Sequence, residues 1–428
     1  MTLQHRTAAP DAPALRPSLS DDTLREAARR FGTPCWVYDA AEIRRRVASL
    51  AGFDVIRYAQ KANSNIHLLR MLHAMGVTVD AVSLGEIERA LAAGYSRAGN
   101  SHDIVFASDI LDRATLARVV ELGLPVNVGS PQMLSQLGEV SPGHPVWLRI
   151  NPGFGSGFSR KTNTGGQWSK HGLWHETLHE CYDLIRLHRL KLVGLHMHIG
   201  SGADFDQLRR VCDAMTGEVR RCPFDIQAIS AGGGLPIPYR DTDTEIDLVA
   251  YRTHWAATRA AAEEHLGHSV SLEVEPGRYI VGNSGYLVSE VRARKAVGNN
   301  WFILADAGFN DLMRPAMYGS FHRIGILHAE PRSESAERRP TVVGGPLCEA
   351  GDVFTVDQGG MVVPRELAVP EIGDLAVFHD CGAYCASMSS NYNSRGLAPE
   401  VLHEGGALRM IRQRQPVSDL LALELSCE

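Results

Sequence analysis

In "RYAQKANSN", Arg57 to Asn65, Lys61 separates a short strand-like run from a helix-like one, a place where a plain connector has no use for a long amine. At a strand's end, lined by apolar neighbours, such an amine can form a Schiff base with an aldehyde cofactor. A phosphorylated aldehyde also needs backbone amides that approach closely. The run "AGGGLP", Ala231 to Pro236, can supply them, because Gly232, Gly233 and Gly234 carry no obstructing Cβ. An aromatic ring nitrogen kept protonated needs an acid, and Glu275 opens "EPGR" with Gly277 and Arg278 close behind. A cationic pyridine ring is the electron sink that stabilises a carbanion at a substrate's α-carbon. Pyridoxal 5'-phosphate is the cofactor these residues suit. "HMH", His196 to His198, offers an imidazole, His198, to stack on the ring's other face. Two imidazoles at that spacing also fit a metal site, but without a convincing third ligand none is expected. Singly, each signal has a plainer meaning: a solvated lysine, a turn glycine, a satisfied core histidine.

The elements that must position these groups follow from β-branched runs alternating with helical periodicity. Strands are expected at Val55 to Gln60, Val77 to Val82, Asp103 to Ala107, Pro125 to Val128, Pro145 to Ile150, Leu192 to Ile199, Asp225 to Ser230 and Ser269 to Glu275. Eight strand and helix units predict an α/β fold, a (β/α)8 TIM-like barrel whose reactive groups gather at the strands' C-terminal ends. The unusual residues fall there: Lys61 after the first strand, Asp80 and Ser83 after the second, Arg149 after the fifth, His198 and Ser201 after the sixth. The glycine triplet follows the seventh, and Glu275, Gly277 and Arg278 the eighth, the loops where barrels usually hold phosphate. The glycine-rich loop Asn151 to Gly172 reads as a lid or rim. After Gly285 the extended stretches Trp301 to Ala305, Pro340 to Gly344 and Asp374 to Phe378 lack intervening amphipathic helices and predict a mostly antiparallel β domain. The expected organisation is a flexible tail over 1–18, a segment over 19–38 whose strand Thr33 to Tyr38 joins the β domain, a cofactor-binding barrel over 39–285 and the β domain over 286–428.

Composition narrows the function class. With 428 residues, 44% hydrophobic content and a formal charge of -6 spread without runs, the chain has the balance of a globular protein acting on small molecules and lacks the basic footprint of a nucleic-acid or anionic-membrane binder. No apolar stretch reaches the roughly 18 residues of a membrane span. Eight cysteines without a CxxC spacing suit a reducing compartment, so a cytoplasmic location is expected.

In combination, "YAQKANSN", "HMHIGSG", "SAGGGLPIPY", "EPGRYIV", "DAGFNDLMRPAMYG", "GPLCEAGDVF" and "GAYCASMSSNYNSR" give the chain, from about Phe31 to Leu423, a close likeness to one family: it resembles the bacterial diaminopimelate decarboxylases, within the alanine racemase-like (fold type III) enzymes that use pyridoxal phosphate. The resemblance implies that Lys61 holds the cofactor and later moves a proton or releases product, that His198 covers its ring, that Ser201 and Gly234 with its neighbours bind phosphate, and that Glu275 pairs with the pyridine nitrogen. It implies that Arg278, Arg314 and Tyr318 bind substrate, the arginines through carboxylate, with Tyr384 against both cofactor and substrate. Cys348, as proton donor, and Glu349, on the distal ammonium, would reach in from a partner subunit of a homodimer. The implied reaction removes the carboxylate at the D centre of meso-2,6-diaminopimelate, giving L-lysine and carbon dioxide in the last step of lysine biosynthesis. Two departures stand out: Cys381 and Cys385 in "DCGAYCAS", where small residues are usual, and Ala350 in "CEAG", where Ser is common.

Competing readings are a sister decarboxylase acting on ornithine, arginine, D-lysine or a carrier-bound glutamyl group, a racemase, and an inactive regulator that keeps the fold. A guanidinium and an acid at Arg314 and Glu349 fit a distal amino-acid head better than a plain diamine precursor.

Overall fold

The computed structural model describes residues 18–96, 103–157, 163–201, 205–329 and 337–427. The expected tail lies outside them except for Ser18, as does the 158–162 part of the glycine-rich loop.

The eight expected strands form, each within a few residues of its expected bounds. They are β2 (Val55–Ala59), β3 (Thr78–Ala81), β4 (Ile104–Ser108), β5 (Val126–Val128), β6 (Pro145–Asn151), β8 (Lys191–Met197), β9 (Ala228–Ser230) and β10 (Ser271–Val274), after β1 (Cys35–Asp39) and with the two-residue β7 (Leu173–Trp174) beside β6. All neighbours are parallel, and the ring closes through β10 on β2, Val274 opposite Ile56, and β5 on β6, Val126 opposite Val146. Strands covered on both faces by helices and by each other bury their residues whichever way these point; β5 is VNV and β3 TVDA, every residue buried. A buried ion pair, Arg57 to Glu273 at 2.9 Å, crosses from β2 to β10.

Local signals set the intervening helices. Helix Leu84–Ala93 starts at Ser83, whose Oγ accepts from the Glu86 amide at 3.2 Å, while Glu86 reaches back to the Val82 amide at 2.8 Å and Gly94 ends the helix at φ +102°. Ser83, placed with the site residues by its position after a strand, is therefore a helix cap. Asp80 and Arg149 correct the same argument: they lie within β3 and β6, not past them.

The second sheet contains β11 (Gly285–Val297), β12 (Asn300–Ala305), β14 (Arg338–Gly344), β15 (Arg365–Ala368), β17 (Glu400–Glu404) and β18 (Ala407–Arg412), ordered β15-β14-β12-β11-β1-β17-β18, with β16 (Leu375–Phe378) pairing both β11 and β13 (Ile324–Leu327). Most pairs are antiparallel; β12 with β14 and β1 with β17 are parallel. Strand β1, which precedes the barrel, lies between β11 and β17.

This sheet also fixes the lysine turn. Glu400 of β17 accepts from the Tyr38 hydroxyl at 2.7 Å and from Asn65 Nδ2 at 3.2 Å, while Asn65 caps helix Ile66–Ala74 by accepting from the His67 amide at 3.0 Å. The Ala62 carbonyl takes the Tyr384 amide at 2.8 Å and the Ser387 hydroxyl at 3.1 Å. The polar sequence "NSN" after Lys61 thus binds the barrel's first loop to the β domain.

Candidate active site

One cavity at the C-terminal ends of the barrel strands is lined by Lys61, Asp80, Arg149, His196, His198, Ser201, Gly233, Gly234, Glu275, Gly277, Arg278 and Tyr384. A second, continuous with it through Lys61, His198, Ser201, Arg278 and Tyr384, adds Tyr239, Arg314, Tyr318 and Gln358. Residues spread over more than 320 positions of chain converge there. Lys61 sits in a single 3-10 turn, Gln60–Ala62, with its side chain exposed toward the mouth and both neighbours buried.

Glu275 is buried, with His196 Nε2 2.8 Å from one carboxylate oxygen and Ser230 Oγ donating to the other at 3.2 Å. Burial alone would raise its pKa, but the charge and hydrogen bond of His196, with Arg57 beyond, outweigh it and bring the group down to about 2. Glu275 is held as an anion. His198, two residues on, is held neutral: burial first, then Arg149 and Lys61, take it well below its ordinary value. Burial raises Asp80 to about 6 against the opposing pull of Lys61. The two histidines of "HMH" therefore have different partners, one on the acid and one facing the cavity.

The glycine triplet is a close-approach device. A Cβ on Gly233 would lie 2.3 Å from the Glu275 carbonyl oxygen, and Gly234, at φ +99°, would place one 2.2 Å from the Gly200 carbonyl oxygen. Gly232 instead ties the triplet to the acid, its carbonyl accepting the Glu275 amide at 2.8 Å. Bare backbone beside Ser201, with an anion at Glu275 and an amine at Lys61, fits a phosphorylated pyridine aldehyde at each of its three polar ends. Over this pocket the Thr164 hydroxyl donates to the His198 carbonyl at 3.1 Å, and the Ser156 and Thr164 amides both reach the Ile199 carbonyl. The described ends of the glycine-rich loop are thereby fastened to His198 and Ile199, just past β8.

At the outer end, Arg278 and Arg314 are 7% and 5% exposed. Both donate through Nη1 to the Tyr239 hydroxyl, at 2.6 and 3.1 Å. Arg314 Nη1 also lies 2.8 Å from His322 Nε2, and the Arg278 guanidinium stacks on the Tyr384 ring at 5.0 Å. Among the described residues no carboxylate pairs with either arginine. Tyr384 adopts φ +57°, an unfavourable conformation for a bulky residue, held by its bond to Ala62.

The structure does not bring every expected residue together. Cys348 and Glu349 are exposed and outside this cavity within the single chain. Tyr239 and His322 escaped the sequence reading: Tyr239 ends "GGGLPIPY" and could have been suspected from its nearness to the glycines, whereas nothing in the sequence marks His322. Cys381, Cys385 and His322 form a buried cluster, but Arg314 can only donate, so His322 Nε2 is an acceptor and its proton sits on Nδ1, facing the His379 carbonyl at 2.9 Å. That tautomer gives the thiols no lone pair to complete a metal site.

Comparison with known proteins agrees with this geometry. Residues 40–282 match the family described as "Pyridoxal-dependent decarboxylase, pyridoxal binding domain". Diaminopimelate decarboxylase of Streptomyces coelicolor is 58% identical over 425 residues, 99% of this chain and 97% of that protein, and that of Escherichia coli K12 is 57% identical over 95% and 97%. A solved diaminopimelate decarboxylase superposes with a TM-score of 0.94 at 56% identity, covering 97% of this chain and 99% of the other. The chain thus belongs to the diaminopimelate decarboxylase family, carboxy-lyases that use pyridoxal phosphate.

Proposed function

We propose that the chain decarboxylates meso-2,6-diaminopimelate at its D centre to L-lysine and carbon dioxide, as a cytoplasmic homodimer with shared active sites. The observation that carries the substrate is the pair Arg278 and Arg314, buried beside Lys61 without an acid partner among the described residues. Burying a guanidinium without a counter-ion is costly, and a substrate carboxylate supplies the missing charge in a bidentate form.

When bound, pyridoxal 5'-phosphate supplies an electron sink next to the substrate's α-carbon. Lys61 would hold it, and Ser201, Gly232, Gly233, Gly234 and Gly277 would bind its phosphate. Glu275, kept anionic by His196, would hold a proton on the ring nitrogen. Neutral His198 would cover the ring without adding a competing charge. Arg278, Arg314, Tyr318 and Tyr384 orient the substrate so that the departing carboxylate faces apolar and aromatic groups while the distal one is held. Cys348 protonates the α-carbon and Glu349 binds the distal ammonium, both from the partner subunit. Both are exposed on the isolated chain, which leaves them free to be covered by a second copy. Among the described residues no helix is long and apolar enough to cross a membrane, as a cytoplasmic enzyme requires.

The test is carbon dioxide release from meso-diaminopimelate, D-lysine and L-ornithine with the cofactor present. Preference for meso-diaminopimelate should reach about 10⁴-fold, the scale of discrimination by buried polar groups left unpaired. Preferential turnover of ornithine would overturn the substrate.

A further inference from the structure

Tyr239 holds an unusual position between the two substrate-facing arginines. A phenol has two acceptor lone pairs and one proton. Both lone pairs are engaged, by Arg278 Nη1 at 2.6 Å and Arg314 Nη1 at 3.1 Å, and among the described residues nothing accepts the hydroxyl proton. The ring is 8% exposed and is fixed on several sides: its backbone amide donates to Asp243 Oδ2 at 2.9 Å, the His322 ring packs edge-on at 5.6 Å, and the Arg314 guanidinium lies 5.0 Å from its centroid. Tyr239 also lines the outer cavity together with Lys61, Tyr318 and Gln358. A hydroxyl that accepts from two cations is polarised into a stronger donor.

We infer that Tyr239 is a specificity-determining residue: its hydroxyl donates to the distal carboxylate of the substrate while holding both guanidinia at a spacing that lets them bind the same group. Three donors then converge on one carboxylate, and a ligand lacking it leaves all three without an acceptor. The inference rests on the proposed substrate and adds to it a residue whose loss should affect one functional group of the ligand.

The discriminating ligands are L-lysine and 1,5-diaminopentane, which differ only by that carboxylate. Their binding to the cofactor-loaded protein is measured by isothermal titration calorimetry. The native protein should prefer L-lysine by at least about 100-fold, and Tyr239→Phe, which keeps the ring and its packing, should weaken L-lysine about 10- to 100-fold, the worth of one hydrogen bond to a carboxylate. Its binding of 1,5-diaminopentane should stay within about twofold, and KM for meso-diaminopimelate should rise more than kcat falls. Equal weakening of both ligands would mean that Tyr239 only supports the fold of the pocket, and no weakening of L-lysine would remove it from recognition; either overturns the inference. Failure of the substrate proposal is distinguishable, because the native protein would then show no preference between the two ligands. A crystal structure of the native protein with L-lysine gives an answer free of any variant: a Tyr239 hydroxyl more than 3.5 Å from the carboxylate would also overturn the inference.

Discussion

His196 Nε2 lies 2.8 Å from Glu275 Oε2, with both side chains buried under the barrel mouth. The strand order makes this pairing possible: β8 and β10 are separated by β9 alone, whose Ser230 bonds to the same carboxylate. One acid is thus oriented through both oxygens before any ligand arrives. Such preorganisation is what electrostatic catalysis requires, since the group need not reorganise as charge develops.

Glu275→Gln tests this arrangement. The amide keeps the size and one acceptor but loses the negative charge that holds a proton on the cofactor's ring nitrogen. Turnover should fall by about 10² to 10³, the usual effect of removing one preorganised electrostatic group. Cofactor content, measured on the purified protein, should be unchanged, which separates a lost charge from a lost binding site. Full activity in the variant would remove Glu275 from the mechanism.

Gly233→Ala tests the bare-backbone argument. The added Cβ would start 2.3 Å from the Glu275 carbonyl oxygen, a backbone atom that cannot swing aside. The loop must therefore move, taking its amides off the phosphate. Equilibrium dialysis should show cofactor affinity reduced at least about tenfold, as for one lost charge-assisted hydrogen bond, with the melting temperature of the cofactor-free protein lowered as well. Unchanged affinity would place the phosphate elsewhere.

How much of this was visible in the chain depends on the range over which each signal acts. The barrel strands announced themselves because burial on both faces makes each a short apolar run, and the following helices carry their own periodicity and caps. The ends of those strands located Lys61, His198, the glycines and Glu275 correctly, since one barrel face collects them whatever the loops do. Position after a strand could not separate Ser83, which caps a helix, from a ligand-facing residue. Strand β11 has no such signature along its whole length, because its second half, Arg292 to Val297, is largely exposed and carries three cations, Arg292, Arg294 and Lys295. The arginine cluster was hidden for another reason. Tyr239 and His322 are 83 positions apart, on loops of different domains, and only folding shows that both bond to Arg314.

His322 should leave a signature in pH-dependent stability. Its Nε2 accepts from Arg314, and burial first, then that guanidinium, hold the imidazole well below its ordinary value of 6.5. The folded ring is neutral, whereas the unfolded chain takes up a proton below about pH 6.5. The unfolded state then binds more protons, so stability contributed by His322 is fully present above that pH and is lost as pH falls, by up to about 1.4 kcal/mol per pH unit for one site. His322→Gln removes the titration. Between pH 7.5 and 5.5 the urea midpoint of the variant should fall less than that of the native protein; parallel declines would show that the ring is protonated in the fold.

The shared site is the proposal most exposed to a direct experiment. Lys61 and Cys348 do not share a cavity within one chain: Lys61 opens into the barrel mouth, whereas Cys348 is exposed outside that cavity, its amide on Asn393 Oδ1 at 2.9 Å. Lys61→Ala should lose covalent cofactor attachment, read by peptide mass spectrometry after borohydride reduction, and should be inactive. Cys348→Ala should keep the cofactor and lose about 10² to 10⁴ in turnover, as for a missing general acid. If each site takes Lys61 from one copy and Cys348 from the other, mixing the two variants rebuilds one intact site in every mixed dimer. With random pairing in a two-fold dimer, half the dimers are mixed and half of their sites are intact, so about a quarter of native activity should return. Mixtures no more active than the sum of the separate variants would mean that each chain completes its own site, and Cys348 would then have to reach Lys61 by a rearrangement of the β domain.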